Sequence, residues 1–136
     1  MGLLSRIFPK KELTIEPIDL SFLGNDIHSH LIPGIDDGSP DMETTIILLK
    51  KFIDFGYKKV ITTPHIMSDY YKNTPEIILS GLDKVKAEII KNNLNIEIEA
   101  AAEYNLEPEF EDLLEKNNLL TFGSEKYLLF ELSFFD

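Results

Sequence analysis

After its first 24 residues, the chain alternates between short runs of β-branched or apolar residues and longer runs with helical spacing. This alternation is typical of a parallel β-sheet built from βα units, because each parallel strand needs a long return connection. Strands are predicted at residues 25–30, 59–63, 96–103 and 127–132. The alanines at 100–102 leave a helix as a competing interpretation of the third strand, and the βα rhythm favours the strand. The predicted fold class is therefore α/β, with about four parallel strands and intervening helices.

Three helices are predicted between these strands. Their apolar positions run from Met42 to Ile53, from Ile78 to Ile89 and from Phe110 to Leu114. We assign the first two stripes to core packing, because three- and four-residue spacing places them on one helix face. Ser39 is expected to be the N-cap of the first helix, with Pro40 at the first helical position and Gly56 at its end. Thr74 and Pro75 repeat this start for the second helix.

The composition limits which functions are open to the chain. A formal charge of −11 argues against a nucleic-acid backbone or an anionic membrane as partner. The absence of cysteine excludes disulfides and thiolate metal sites, so any metal ion must be held by His and carboxylate groups. The 136 residues correspond in length to one domain.

Residues 1–24 are interpreted as a leader that could be mobile, and residues 25–136 as the domain itself. The leader has too short an apolar run for a signal peptide and no small-residue cleavage site. No segment of the sequence is long and apolar enough to span a bilayer. We therefore expect a cytoplasmic protein without membrane insertion.

Metal-capable side chains stand at the end of every predicted strand. His28 and His30 are two residues apart in the first strand, so both are expected to point to the same face. His65 follows the second strand, Glu103 ends the third and Glu131 lies within the fourth. Since the carboxyl ends of parallel strands converge on one rim in a βα barrel, these residues are expected to meet. The sequence thus predicts a shared metal site.

Other interpretations compete with the metal-ligand role for each of these residues. The histidines could be ordinary core, surface or loop residues, and Glu103 could be an exposed acid. Asp37, in the Asp36-Asp37-Gly38 turn, could shape the loop or help cap the first helix. Glu131 sits among apolar residues, where a carboxylate costs several kcal/mol unless it is paired, so either a metal ion or a lysine would stabilise it. Clustered divalent cations would support hydrolysis of phosphoesters by activating water.

Four segments in this order resemble the polymerase-and-histidinol-phosphatase family: DIHSHLIPGIDDG (26–38), TPH (63–65), AEY (102–104) and FELS (130–133). The resemblance is closest to the bacterial manganese-dependent protein-tyrosine phosphatases associated with capsular and exopolysaccharide synthesis. It implies a distorted (β/α)7 barrel, of which these residues are the N-terminal half, so that the barrel is incomplete in this chain.

The resemblance also implies a trinuclear metal centre. By it, His28, His30 and Glu103 hold a first ion, Glu103 and Glu131 a second, and Asp37 with His65 a third. Manganese is the expected metal, with iron or zinc as alternatives, and a complete family member would hold up to three ions. No catalytic residue beyond these ligands is implied.

The function implied is phosphoester hydrolysis by metal-activated water in a phosphotyrosine-protein phosphatase. Its expected substrate is a tyrosine kinase of polysaccharide export. The family's later histidine, arginine and Asp-x-His segments do not occur in these 136 residues, which contain only 3 histidines. Two alternatives therefore stay open: a small-molecule phosphoesterase of the histidinol-phosphatase type, and a catalytically inactive truncated protein. The sequence does not determine whether the protein forms an oligomer.

Overall fold

The structure, a computed structural model, describes residues 18–132, so residues 1–17 of the predicted leader and residues 133–136 lie outside the described part. Six short strands and three helices occupy the described residues. In chain order they are β1 (Asn25–Ser29), α1 (Met42–Asp54), β2 (Lys59–Thr62), β3 (His65–Ile66), α2 (Pro75–Lys91), β4 (Glu97–Ala100), β5 (Glu103–Asn105), α3 (Pro108–Glu115) and β6 (Leu129–Glu131).

The strands form two three-stranded sheets with the orders β1-β2-β4 and β3-β5-β6, and every pairing is parallel. The predicted parallel α/β class is therefore confirmed. The predicted second strand, residues 59–63, corresponds to β2, and the short β3 that follows Pro64 was not predicted. The prediction of one unbroken third strand over residues 96–103 was wrong, because it is divided at Ala101-Ala102 into β4 and β5. Pro64 has no N–H to donate to a ladder, which interrupts regular pairing at this level.

One hydrophobic cluster lies between the helices and the sheets. Its most deeply buried members include Leu49 of α1, Val60 of β2 and Ile78 and Val85 of α2, each with no exposed surface. The apolar stripes that the sequence assigned to packing in α1 and α2 thus face this core. Burial of such side chains contributes about 1.5–3 kcal/mol each relative to exposure.

α1 and α2 begin with polar N-caps as predicted, with one correction. The N-cap of α1 is Asp41, whose Oδ1 accepts a hydrogen bond from the Thr44 N–H at 2.7 Å, and not Ser39. Ser39 is buried instead, where its hydroxyl accepts from Thr45 Oγ1 and donates to the Asp41 carbonyl. Its side chain is therefore not available for a cap. Thr74 caps α2 as predicted, accepting from the Ile77 N–H.

The loop that follows β1 is anchored in the core. Leu31 and Ile32 keep only 2% and 1% of their surface exposed, and the Leu31 N–H donates to Thr62 Oγ1 at 2.8 Å. Gly81 of α2 packs directly against Ile32. The rest of this loop, up to Gly38, is thereby held above the ends of the strands. In residues 18–132, no helix has the length and apolar character needed to cross a membrane.

Candidate metal centre

All six residues proposed from the sequence lie at or just beyond the carboxyl ends of β1, β2, β4 and β6. His28 is in β1, His30 directly follows it, and Asp37 is in the loop before α1. His65 begins β3, Glu103 begins β5 and Glu131 ends β6.

The six side chains form three overlapping groups whose potential ligand atoms lie within 4.8 Å of one another. The groups are His28, His30 and Glu103; His30, Asp37 and His65; and His65, Glu103 and Glu131. His30, His65 and Glu103 each belong to two groups. The arrangement is therefore one continuous cluster.

Strand register explains why three of these side chains share a face. His65 of β3 lies directly beside Glu103 of β5, which in turn lies beside Leu129 of β6. Glu131 is two residues beyond Leu129 and so points to the same side. Because the three strands are parallel neighbours, the imidazole and both carboxylates converge without any unusual backbone conformation.

In β1 the register with β2 shifts between Asp26 and Ser29, where three steps on β1 match two on β2. Such irregularities re-aim side chains beside functional sites. His28 Nε2 lies 3.8 Å from Glu103 Oε1, and His28 Nδ1 is hydrogen-bonded to Thr63 Oγ1 at 2.8 Å. The two histidines predicted to share a face do come together, with ring centroids 5.4 Å apart.

His30 is held from both sides. Its Nε2 lies 3.3 Å from Glu103 Oε2, and its Nδ1 lies 2.9 Å from Asp36 Oδ2. The neighbouring Asp37 is more distant, with Oδ1 3.6 Å from His30 Nδ1, and its side chain is 61% exposed. At Gly38 a Cβ would lie 2.3 Å from the His30 Cβ, so only glycine permits this close return of the loop.

His65 carries an unsatisfied atom at the centre of the cluster. Its Nδ1 is buried and has no hydrogen-bond partner among the described residues. It nevertheless lies 3.4 Å from Glu103 Oε2 and 3.3 Å from Glu131 Oε1. An orphaned buried nitrogen normally costs free energy, so this position requires an explanation.

The distances between these nitrogen and oxygen atoms match those between ligand atoms that bind one metal ion. Two ligand atoms that each lie about 2.1 Å from one ion, at angles between octahedral and tetrahedral, are separated by about 3.0–3.4 Å. The separations between His65 Nδ1 and the two carboxylates, and between His30 Nε2 and Glu103, fall in or near this range. Imidazole nitrogen and carboxylate oxygen are a suitable donor set for manganese, iron or zinc. The residues present therefore fit divalent cations.

His30 and Asp36 each stabilise the charged form of the other. Burial alone would lower the pKa of His30, but the hydrogen bond to Asp36 and the negative charges of Asp36, Glu103 and Asp37 outweigh it and raise that pKa. For Asp36, burial acts to raise the pKa, while hydrogen bonds from His30 and from the Gly38 and His65 N–H groups lower it overall. Asp36 is therefore ionised at neutral pH.

Three residues that the sequence prediction left outside the site support it directly. Asp36 has no exposed side-chain surface, Asn73 Nδ2 donates to the carbonyls of Ile35 at 3.0 Å and His65 at 2.8 Å, and the Tyr71 ring stacks on His65 with centroids 5.4 Å apart. Asp36 could have been found from the sequence, because it adjoins Asp37 in the same turn. Asn73 and Tyr71 carry no local signal, since they act across the loop between β3 and α2.

The fold and this cluster define the class: a parallel α/β protein with His and acidic side chains gathered at the strand ends. The chain belongs to the CpsB/CapC family of capsular polysaccharide synthesis, whose family model matches residues 24–136. This confirms the resemblance drawn from the four motifs.

Individual relatives agree with this assignment. The chain is 31% identical over 109 residues to the tyrosine-protein phosphatase YwqE of Bacillus subtilis, covering 80% of this chain and 43% of YwqE. It is 28% identical over 110 residues to the tyrosine-protein phosphatase CpsB of Streptococcus pneumoniae, covering 79% and 44%. The chain thus spans less than half the length of these relatives.

A solved structure shows the same fold. It comes from a work on the crystal structures of YwqE from Bacillus subtilis and CpsB from Streptococcus pneumoniae, described as unique metal-dependent tyrosine phosphatases. The match has a TM-score of 0.74 at 31% identity, and covers 81% of this chain and 44% of the other.

Proposed function

We propose that this chain is the metal-binding N-terminal part of a metal-dependent phosphotyrosine-protein phosphatase that serves capsular or exopolysaccharide synthesis. The observation that carries the proposal is the position of Glu103, whose carboxylate belongs both to the group with His28 and His30 and to the group with His65 and Glu131. Shared ligands allow several cations to lie close together, as phosphoryl transfer at multi-metal sites requires. Relatives named as tyrosine-protein phosphatases support the choice of reaction.

The proposed ligands are the six residues predicted from the sequence: His28, His30, Asp37, His65, Glu103 and Glu131. Manganese is the proposed metal, with up to three ions in a protein of the relatives' full length. Divalent cations bound there would supply an activated water and neutralise charge on the phosphoryl oxygens.

The protein's own residues shape the approach to this centre. Glu103 and His65 lie at its base with side chains 10% exposed, whereas His28 and Asp37 are 49% and 61% exposed at its rim. A phosphoryl group would therefore approach from the side of His28 and Asp37. No nucleophilic side chain is required, in agreement with the absence of cysteine.

The fold proposed for the intact domain is the distorted (β/α)7 barrel. In residues 18–132, neither sheet is closed: β1 and β4 are the edge strands of one sheet and β3 and β6 of the other, so further strands could add at these edges. We keep residues 25–136 as the N-terminal part of this domain and residues 1–24 as its leader. The proposed substrate is a tyrosine kinase of polysaccharide export, and the proposed location is the cytoplasm.

The test combines metal binding with a choice between two substrates. The purified chain is stripped with chelator, titrated with Mn²⁺ by calorimetry, and then given either a phosphotyrosyl peptide or histidinol phosphate. Mn²⁺ binding with hydrolysis of the peptide alone supports the proposal. Turnover of histidinol phosphate alone contradicts the protein-phosphatase assignment, and binding without either reaction contradicts catalysis by these 136 residues.

A further inference from the structure

We propose that Asp36 is a positioning residue that presents His30 Nε2 to the metal centre and fixes the backbone of His65 beside it. This inference rests on the metal-binding part of the proposed function and not on the choice of substrate. It gives separate roles to two adjacent acids, with Asp36 orienting a ligand and Asp37 serving as one.

The Asp36 carboxylate joins three parts of the site. Oδ2 accepts hydrogen bonds from His30 Nδ1 at 2.9 Å and from the His65 N–H at 3.1 Å. Oδ1 accepts from the Gly38 N–H at 3.0 Å. The side chain has no exposed surface, so water does not compete for these bonds. One carboxylate thus links the end of β1, the following loop and the start of β3.

The hydrogen bond to His30 determines which nitrogen can bind a metal ion. Both oxygens of Asp36 already accept hydrogen bonds from backbone N–H groups, so the carboxyl group also acts as acceptor toward His30, and His30 Nδ1 carries the proton that it donates. In the neutral imidazole the lone pair is then on Nε2, the atom that lies 3.3 Å from Glu103 Oε2. Carboxylates that hold the second nitrogen of a ligating histidine in this way are a common support of metal sites.

This arrangement also resolves an overlap between two ligand groups. His30 belongs both to the group with Glu103 and to the group with Asp37, and it approaches Asp37 through Nδ1. Since Nδ1 is committed to Asp36, His30 binds only with His28 and Glu103. Asp37, whose Oδ1 lies 3.5 Å from His65 Nε2, then pairs with His65.

The decisive variant is Asp36→Asn, which keeps the shape and removes one acceptor. If the amide oxygen takes the Oδ2 position, the NH₂ group faces the Gly38 N–H; if it takes the Oδ1 position, the bonds from both His30 and His65 are lost. Either orientation brings two donors together. We expect Mn²⁺ affinity to fall about 10–100-fold, the usual cost of losing such a support.

A spectroscopic measurement separates positioning from a merely structural role. The chain has 3 histidines, so long-range ¹H–¹⁵N NMR of the metal-free protein at a pH where they are neutral can assign each tautomer. We expect His30 in the wild type to carry its proton on Nδ1, and in the Asp36→Asn variant to shift toward the other tautomer. A wild-type His30 protonated on Nε2 would overturn the proposal without any variant.

Asp41→Ala is the matched control. It removes the N-cap of α1, five residues along the same loop, where an exposed side chain accepts a hydrogen bond from the Thr44 N–H. We expect a lower melting temperature with unchanged Mn²⁺ affinity and an unchanged His30 tautomer. Equal losses of affinity in both variants would show that general destabilisation is the cause and would refute the positioning role. Failure of the wild type to bind Mn²⁺ would contradict the proposed function, while the NMR result would still decide the role of Asp36.

Discussion

The two sheets use the same parallel pairing for different purposes. In the β1-β2-β4 sheet, Val60 and Ile98 are buried in the core between sheet and helices. In the β3-β5-β6 sheet, by contrast, His65 and Glu103 are buried with a polar face turned to the candidate metal centre. The first sheet gains stability from apolar contacts, whereas the second holds polar groups that cost free energy until a cation binds.

This contrast places stability and function on successive segments of the same strands. β2 and β4 carry the core, and after a two-residue break β3 and β5 carry the ligands. A change at an apolar core position of the first sheet should therefore lower stability without altering metal binding selectively. A change at a ligand position of the second sheet should alter metal-dependent stability and leave the metal-free protein nearly unaffected.

Leu49→Ala should produce the largest loss of stability. Leu49 has no exposed surface and lies in the core cluster, so its truncation leaves a cavity that typically costs about 2–5 kcal/mol. Urea denaturation of the metal-free protein measures this loss. The adjacent Leu48 is 37% exposed on the same helix, and Leu48→Ala serves as the control with a much smaller expected effect. Equal losses from the two variants would contradict the assignment of the core.

Glu103→Gln should have the next largest effect, and only when metal is present. Glu103 belongs to two of the three ligand groups, so its charge contributes to most of the candidate centre. Mn²⁺ at 100 times its dissociation constant should stabilise the wild type by about 2.7 kcal/mol, and the variant should lose most of this gain.

Thermal unfolding with and without Mn²⁺ measures the effect of Glu103→Gln. The matched control is Glu131→Gln, which touches one group only and should retain more of the stabilisation. An unchanged Mn²⁺-dependent shift in Glu103→Gln would show that the cluster is not the metal site.

The separation between a sheet that carries the core and a sheet that carries the candidate ligands could largely be predicted from the sequence, because it follows from strand direction. Parallel strands bring their carboxyl ends together, so His65, Glu103 and Glu131 could be placed near His28 without knowledge of side-chain contacts. The competing lysine partner for Glu131 is not found in residues 18–132, where Glu131 Oε1 instead lies 3.3 Å from His65 Nδ1.

The features that the sequence could not reveal depend on contacts between distant segments. The choice of Asp41 over Ser39 as helix cap depends on Thr45, whose hydroxyl donates to Ser39 in the buried loop. The support of His65 by Asn73 depends on how the loop between β3 and α2 folds back. Local spacing contains no information on either contact.

Gly81→Ala tests how far the hydrophobic core and the candidate metal centre are coupled. Alanine favours the helix by about 1 kcal/mol, yet its Cβ would lie 2.2 Å from Cγ2 of the buried Ile32, so one of the two must shift. Overpacking typically costs about 1–3 kcal/mol, so we expect a net loss of stability of up to about 2 kcal/mol. Because Ile32 anchors the loop that carries Asp37, Mn²⁺ affinity should also fall.

Ser80→Ala, at an exposed neighbouring position of α2, is the control for helix propensity in that experiment. It should be neutral or slightly stabilising in urea. A stabilised Gly81→Ala variant would mean that α2 can move away from the loop at no cost, and that core and site are independent there.

Thr63→Val should have the smallest effect of the four and tests the junction between the sheets. Thr63 is fully buried between β2 and β3, and its hydroxyl is hydrogen-bonded to His28 Nδ1 at 2.8 Å. Valine keeps the volume but removes this bond, whose net contribution is about 0.5–1.5 kcal/mol. His28 is 49% exposed, so water can replace part of the interaction, and the loss should lie at the lower end of this range.

Mn²⁺ affinity of the Thr63→Val variant should fall by about tenfold, because the imidazole loses its orienting partner. Thr63→Ser restores the hydroxyl and should recover the affinity even if the missing methyl lowers stability. Calorimetric titration of the two variants would therefore separate orientation of His28 from packing, and equal affinities would show that Thr63 only packs.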